Sequence, residues 1–190
     1  MYLVTWLVML GVTQFAFATD TVPELNISQY VGRWYEVYSD LFSTYLFQRH
    51  CECATADYSL LPNKSVSVQN SCRLKSPDGE PSIIKGYAYR PDDKEQGKLK
   101  VHLFGVPREG DYWVIQLGPP TYKGNFYEYS VVADKSNLDL FVLARNVTQF
   151  REKYETTVLS KLEQQGFTKF YNKPSKLYQG DDCQYISPTS

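Results

Sequence analysis

Residues 26–40, NISQYVGRWYEVYSD, contain a glycine followed two positions later by a tryptophan, at the start of a segment rich in tyrosine and valine. Gly32 allows a turn or a close backbone approach that a Cβ atom would prevent. Trp34 adds a large apolar ring whose N–H needs a hydrogen-bond acceptor when buried. With Ser28 as a candidate helix cap, the stretch predicts a short polar turn that leads into a β-strand.

Seven further segments with strand-like patterns follow, separated by short turns rich in Pro, Asn, Asp or Gly. They cover residues 53–61, 65–74, 83–90, 98–104, 111–117, 125–133 and 138–145. No helical pattern lies between them, which disfavours parallel α/β architecture. Eight short strands at regular intervals indicate an all-β sandwich or barrel.

After residue 145 the pattern becomes helical. One face carries the apolar side chains Phe150, Tyr154, Val158, Leu159 and Leu162. We expect one amphipathic helix over about residues 149–165, with Thr148 as N-cap and Gly166 beyond its C-terminus. The apolar face predicts that this helix packs against the outside of the sheet.

The first 18 residues contain no charged side chain and end in Ala-Phe-Ala. This pattern is typical of a secretory signal peptide cleaved before Thr19, which leaves residues 19–190 as a single domain. An uncleaved membrane anchor is the alternative, although the segment is marginal for spanning a bilayer. Three N-glycosylation sequons, which agree with secretion, begin at Asn26, Asn63 and Asn146.

Charge and cysteine content exclude some classes of function. The chain has 20 basic and 21 acidic residues and no basic block that suggests nucleic acid. Its four cysteines are Cys51, Cys53, Cys72 and Cys183. An even count in a secreted chain indicates two disulfides, with three possible pairings. Zinc is the alternative, but Cys-x-Cys is not its usual spacing, so we predict no metal site.

The strands, the helix and the Gly32-x-Trp34 motif together resemble the lipocalin family. Gly32-x-Trp34 matches the first family motif, and residues 143–145 (LAR) match the third, in which an arginine covers the tryptophan at the closed end of a barrel. Residues 129–134 (YSVVAD) stand where the second motif belongs but lack its Thr-Asp-Tyr triplet. Residues 53–60, 112–115 and 144–146 are most similar to the apolipoprotein D and bacterial lipocalin branch.

This resemblance, which covers about residues 26–183, implies an all-β fold. The expected architecture is an eight-stranded antiparallel up-and-down barrel over about residues 30–145, one C-terminal helix packed outside it, and a C-terminal tail. Gly32, Trp34 and Arg145 would then be structural, because a guanidinium stacked on an indole stabilises the closed end by about 0.5–2 kcal/mol.

The resemblance also implies a disulfide pairing. In that branch a cysteine at the position of Cys53 is bonded to one near the C-terminus, here Cys183, which leaves Cys51 with Cys72. The exchanged pairing, Cys53 with Cys72 and Cys51 with Cys183, remains open.

If Trp34 points inward, strand alternation and the family motifs predict the lining of the barrel. The expected ligand-binding residues are Tyr38, Ala56, Tyr58, Val68, Ile84, Val101, Leu103, Tyr112, Val114, Val132 and Phe141. Such an apolar interior with a few phenolic hydroxyls suits a retinoid, carotenoid, sterol, fatty acid or bilin. The implied function is a secreted binding and transport protein. It requires no cofactor, although a bound lipophilic chromophore is among the allowed ligands.

Two other classes of function stay open. A lipocalin-type enzyme acting on a lipophilic substrate would need a catalytic group such as a free thiol in the cavity, and a secreted inhibitor would act through its loops. We expect no enzyme, because all four cysteines can pair.

The loop after the first strand carries the apolar residues Leu41, Phe42, Tyr45, Leu46 and Phe47. This 41–47 segment would serve as a ligand lid, a dimer contact or a membrane contact, or it would simply pack over the rim.

Overall fold

The computed structural model describes residues 20–41, 50–121 and 125–188. Its main feature is a closed antiparallel barrel, in which each strand pairs with the next in the chain and the eighth pairs with the first. The barrel strands are β1 Gly32–Ser39, β2 Cys51–Leu60, β3 Val66–Leu74, β4 Pro81–Tyr89, β5 Lys98–Leu103, β6 Gly110–Leu117, β7 Tyr129–Ala133 and β8 Leu140–Ala144. A short β9, Ser175–Lys176, pairs with the end of β1. The predicted eight-stranded barrel is confirmed.

Alternation along the strands separates the apolar side chains into two clusters. The inner cluster lies inside the barrel and includes Trp34, Tyr58, Val68, Val114, Val132 and Leu143. The outer cluster lies between the barrel and the C-terminal helices and includes Val131, Val142, Ala144, Phe150, Val158 and Leu162. The helices therefore cover the outside of the barrel and leave its interior to a separate set of side chains.

Among the residues that the structure describes, three helices with defined bounds accompany the barrel: α1 Ile27–Tyr30, α2 Val147–Lys153 and α3 Glu155–Gln164. The single helix expected over residues 149–165 is thus divided at Tyr154, whose φ of −119° leaves the helical range. The division is slight, because the Tyr154 N–H still donates to the Phe150 carbonyl and the Tyr154 carbonyl accepts from Val158. The expected cap at Thr148 is also wrong: the Asn146 side chain accepts from the Gln149 N–H at 2.9 Å.

Two of the three register shifts in the described barrel are β-bulges on neighbouring strands, β1 and β2. In β1 the register shifts between Glu36 and Tyr38, and in β2 it shifts between Glu52 and Thr55. The buried Gln179 side chain joins the two interruptions, since its Nε2 donates to the Glu36 carbonyl at 2.9 Å and to the Ala54 carbonyl at 2.8 Å. These hydrogen bonds replace part of the strand pairing that the bulges remove.

The C-terminal tail crosses the outer face of β1–β3. The Leu177 N–H donates to the Val37 carbonyl, and the Cys53 N–H donates to the Tyr178 carbonyl. Further along, the Arg33 guanidinium donates to the Ile186 carbonyl.

Within the described residues, no helix is both long and apolar enough to cross a membrane.

Candidate functional site

The closed end of the barrel is sealed by Arg145. Its guanidinium carbon lies 3.6 Å from the centre of the fully buried Trp34 ring. The same group donates hydrogen bonds to the backbone carbonyls of Gln29, Tyr30, Val31 and Arg33, at 2.7–3.3 Å. Burial lowers the pKa of Arg145 to about 10, so the guanidinium stays charged at neutral pH. The contacts of Arg145 with Trp34 and with these four carbonyls join α1 to the start of β1 at this end of the barrel.

Gly32 is required by the same closure. Its φ is +93°, and a Cβ atom there would lie 3.2 Å from Arg145 Nη1. A side chain at this position would therefore strain the backbone and press on the guanidinium. Trp34 completes the unit, because its Nε1 donates to the Tyr30 carbonyl at 2.8 Å.

Above this closure lies a cluster of tyrosine hydroxyls. The Tyr30 hydroxyl is 2.8 Å from both the Tyr112 hydroxyl and Ser130 Oγ, and the Tyr58 hydroxyl is 3.1 Å from that of Tyr112. Burial raises the pKa of Tyr30 to about 12 and also raises the pKa values of Tyr58 and Tyr112 well above their usual value. The hydroxyls are neutral and form a hydrogen-bonding floor to the lumen.

Ten of the eleven residues expected to bind ligand lie on the inward face of the barrel. Ala56, Tyr58, Val68, Val114 and Val132 are buried members of the inner cluster, and Val101, Leu103, Tyr112 and Phe141 pack against it while remaining partly exposed. Ile84 is half-buried and lies opposite Asn70, in the same row as Trp34 and Ala56. Within a filled barrel these inward side chains would all be buried. Their partial exposure leaves part of the inward face of the barrel accessible to solvent.

Tyr38 is the exception, and its predicted place in the lumen is wrong. The bulge at Val37 reverses the alternation, so that Tyr38 lies opposite Val142 of the outer cluster. Its hydroxyl donates to Glu155 Oε1 in α3 at 2.7 Å. Tyr38 therefore attaches the helix to the barrel and does not face a ligand.

A Tyr38→Phe variant tests this assignment. We expect it to lose about 1 kcal/mol of stability, because one hydrogen bond is removed, with ligand affinity unchanged. Burial alone would raise the pKa of Glu155, but hydrogen bonds from Tyr38 and Lys176 lower it overall. Their stabilisation is thus present at neutral pH and is lost as the pH falls through the folded-state pKa. Urea unfolding at neutral and acidic pH measures both effects; a loss of ligand affinity would contradict the assignment.

Besides the expected tyrosines, the inward face carries three polar residues that the sequence analysis missed: Glu36, Ser39 and Asn70. Glu36 is only 7% exposed, lies opposite the inner residue Leu143, and its charge raises the pKa of Tyr58 after the larger effect of burial. Ser39 is fully buried opposite Phe141. Within the described part of the chain, Ser39 Oγ and Asn70 Oδ1 have no hydrogen-bond partner. Strand alternation from Trp34 points to Glu36, whereas Ser39 is found only once the bulge is known.

Comparison with known proteins agrees with this geometry. The model of the lipocalin-like domain matches residues 25–174. The chain is a lipocalin. The temperature-induced lipocalin-1 of Arabidopsis thaliana is 29% identical to it over 152 residues, 76% of each chain. The outer membrane lipoprotein Blc of Vibrio cholerae is 30% identical over 127 residues, 67% of this chain and 68% of the relative.

Solved structures support the same fold. The amine-binding protein of Rhodnius prolixus, in its tryptamine complex, superposes on this lipocalin with a TM-score of 0.57 at 21% identity, covering 88% of this chain and 89% of that chain. The predicted resemblance to the lipocalin family and its bacterial branch is confirmed. Members of the lipocalin family bind small hydrophobic ligands.

All four cysteines of this lipocalin are paired. Cys51 is bonded to Cys72, and Cys53 is bonded to Cys183. The exchanged pairing is therefore absent, and the thiol that an enzyme of the kind considered above would need is not available. Among the described residues, no group of three or more His, Cys, Asp or Glu side chains is placed to hold a metal ion.

The three sequon asparagines share one end of the molecule. Asn26 precedes α1, Asn63 lies in the turn between β2 and β3, and Asn146 follows β8. All three are exposed at the closed end. The apolar loop expected to act at the open end lies outside the described residues except for Leu41, which is exposed.

Proposed function

We propose that this lipocalin binds one small lipophilic molecule in its barrel and carries it outside the cell. The partial exposure of the inward-facing residues Val101, Leu103, Tyr112 and Phe141 is the observation that supports this most. Apolar ligand surface that leaves water for such a lumen contributes about 25 cal/mol per Å². Retinoids, carotenoids, sterols, fatty acids and bilins have the elongated or ring-bearing shape that this lumen suits.

Polar groups of the lumen favour a ligand with a hydrogen-bonding end. The tyrosine cluster offers neutral hydroxyls at the floor, while Ser39 Oγ and Asn70 Oδ1 stand nearer the open end. A buried polar atom without a partner costs about 1–3 kcal/mol, which a ligand hydroxyl, carboxyl or amine would recover in part. An amphipathic lipophile is therefore a better candidate than a pure hydrocarbon.

The extracellular assignment rests on three features. Residues 1–18 have the pattern of a signal peptide. Two disulfides join strands and tail, as expected in an oxidising compartment. The sequons at Asn26, Asn63 and Asn146 are exposed and thus accessible to glycosylation.

Titration with a fluorescent fatty acid or retinol tests the proposed function. We expect saturable binding at about micromolar Kd or tighter. Leu103→Arg places a charge in the apolar lumen and should weaken binding at least about tenfold. The matched control is His102→Arg, since His102 lies next to Leu103 on β5 but pairs with Tyr87 on the outer face. No saturable uptake, or an equal loss in both variants, would contradict the proposal.

A further inference from the structure

An exposed apolar patch lies beside the open end of the barrel. We define it by Leu138, in the turn between β7 and β8, and by Phe170 and Tyr171, in the loop after α3. Phe170 is 79% exposed, the highest value for any large apolar side chain in the described residues, and Leu138 is 44% exposed. The rings of Phe170 and Tyr171 pack edge to face, with centroids 5.3 Å apart. The patch therefore keeps apolar surface in water at a measurable cost in free energy.

The two loops that carry the patch are joined by Asn172. This side chain is buried, and its Nδ2 donates to the Asn137 carbonyl at 2.9 Å, while its Oδ1 accepts from the Lys169 N–H at 2.9 Å. The N–H groups of Asn172 and Lys173 both donate to the Lys169 carbonyl. The aromatic pair thus stands on a tight, internally bonded turn, so its exposure is a feature of the folded loop.

Positive charge surrounds the apolar patch. Lys135, Lys169 and Lys173 are exposed, and none of them forms an ion pair with another described residue. Residues 166–180 contain three lysines and no acidic side chain. Asp134 lies in the adjoining turn, but its carboxylate accepts three backbone N–H groups at 2.6–2.9 Å, and Asp139 is half-buried. The ammonium groups of these three lysines are therefore exposed to solvent. The Asp134 carboxylate, in contrast, is engaged by backbone N–H groups, and Asp139 is half-buried.

We propose that the apolar patch docks this lipocalin on the surface of a lipid bilayer that contains anionic lipid. Aromatic side chains favour the interface between headgroups and acyl chains. Each lysine near an anionic surface adds electrostatic attraction that falls within a Debye length. Three protruding side chains form too small an area for a stable protein interface, which needs about 800 Å² on each partner. Insertion into a fluid interface has no such requirement.

Docking in this orientation directs the open end of the barrel towards the bilayer. The turn with Leu138 follows β7 at the open end, whereas the sequon asparagines Asn26, Asn63 and Asn146 lie at the closed end. Glycans attached there would point into solvent and would not obstruct the contact. A lipophile held in the lumen would thus face the phase into which it partitions.

Co-sedimentation with vesicles tests the proposal. We expect the full protein to bind phosphatidylcholine vesicles that contain phosphatidylserine, and to bind less well in their absence or at high salt. Phe170→Ser with Tyr171→Ser should weaken binding at least about tenfold, and Lys169→Glu with Lys173→Glu should do the same. The matched control is Leu60→Ser, which changes a side chain that is 53% exposed at the closed end and should have no effect.

Circular dichroism establishes that each variant is folded. The proposal is overturned if the protein does not bind anionic vesicles, or if Leu60→Ser weakens binding as much as the patch variants do. It is also overturned if the wild-type protein does not bind vesicles and the patch variants abolish its self-association. The apolar patch would then contact a second copy of the chain and not a bilayer.

Discussion

Replacing Arg145 by alanine is expected to lower the free energy of unfolding by about 3–5 kcal/mol. Arg145 donates hydrogen bonds to four backbone carbonyls at the closed end. In the alanine variant these carbonyl oxygens would lose that donor. The stacking contact over Trp34 would be lost as well. For a domain of this size, the expected fall in Tm is roughly 10 °C. Urea unfolding and calorimetry measure the two quantities.

Two controls separate geometry from charge at this position. Arg145→Lys keeps the positive charge, but a single ammonium cannot reach four carbonyls and cannot stack as a plane, so we expect an intermediate loss. Arg108 is exposed in the loop between β5 and β6, and Arg108→Ala should leave stability unchanged within about 0.5 kcal/mol. If Arg145→Ala behaved like Arg108→Ala, Arg145 would not be the closure described above.

The second large effect is expected from removing the Cys53–Cys183 disulfide. The two cysteines are 130 residues apart, and the chain-entropy model gives about 5 kcal/mol for a closed loop of that length. The same bond holds the tail against the barrel, where Gln179 bridges the two bulged strands. Cys53→Ala with Cys183→Ala should therefore destabilise the fold and expose the tail to proteolysis.

The Cys51–Cys72 disulfide is the internal comparison. Its cysteines are 21 residues apart, so the same model gives about 3 kcal/mol. We expect urea unfolding under non-reducing conditions to show a larger loss in the free energy of unfolding when Cys53–Cys183 is removed than when Cys51–Cys72 is removed. A larger loss on removing Cys51–Cys72 would contradict this ranking by loop length.

Much of the barrel could be predicted from the sequence because its signals are local or repeated. Turn residues divide the strands, and alternation marks their faces. Gly32, Trp34 and Arg145 then define which face is inward. The disulfide pairing in the structure is the one that the resemblance to relatives implied, and the residues themselves left the exchanged pairing open.

What could not be predicted depends on long-range packing. The bulge at Val37 has no local signal, yet it moves Tyr38 to the outer face and turns Ser39 inward. Gln179 supports this bulge from 143 residues along the chain, which explains why the strand pattern alone was misleading. The division of the helix at Tyr154 was equally hidden, because tyrosine is compatible with a helix.

Glu36 was left out of the predicted barrel lining for a different reason. Its spacing from Trp34 placed it on the inward face, but a carboxylate is an unexpected residue in an apolar lumen. With Ser39 and Asn70 it gives the interior a polar side that composition did not reveal. The tyrosine cluster and these groups together support the proposal that the ligand is amphipathic.

Native mass spectrometry of the purified protein, incubated with a lipophile that saturates in the fluorescence titration, measures directly whether the barrel holds one ligand. We expect a single adduct of one ligand per chain, present in the wild-type protein and in His102→Arg but strongly reduced in Leu103→Arg. Absence of any adduct, or an adduct that Leu103→Arg retains fully, would contradict a ligand site inside the barrel.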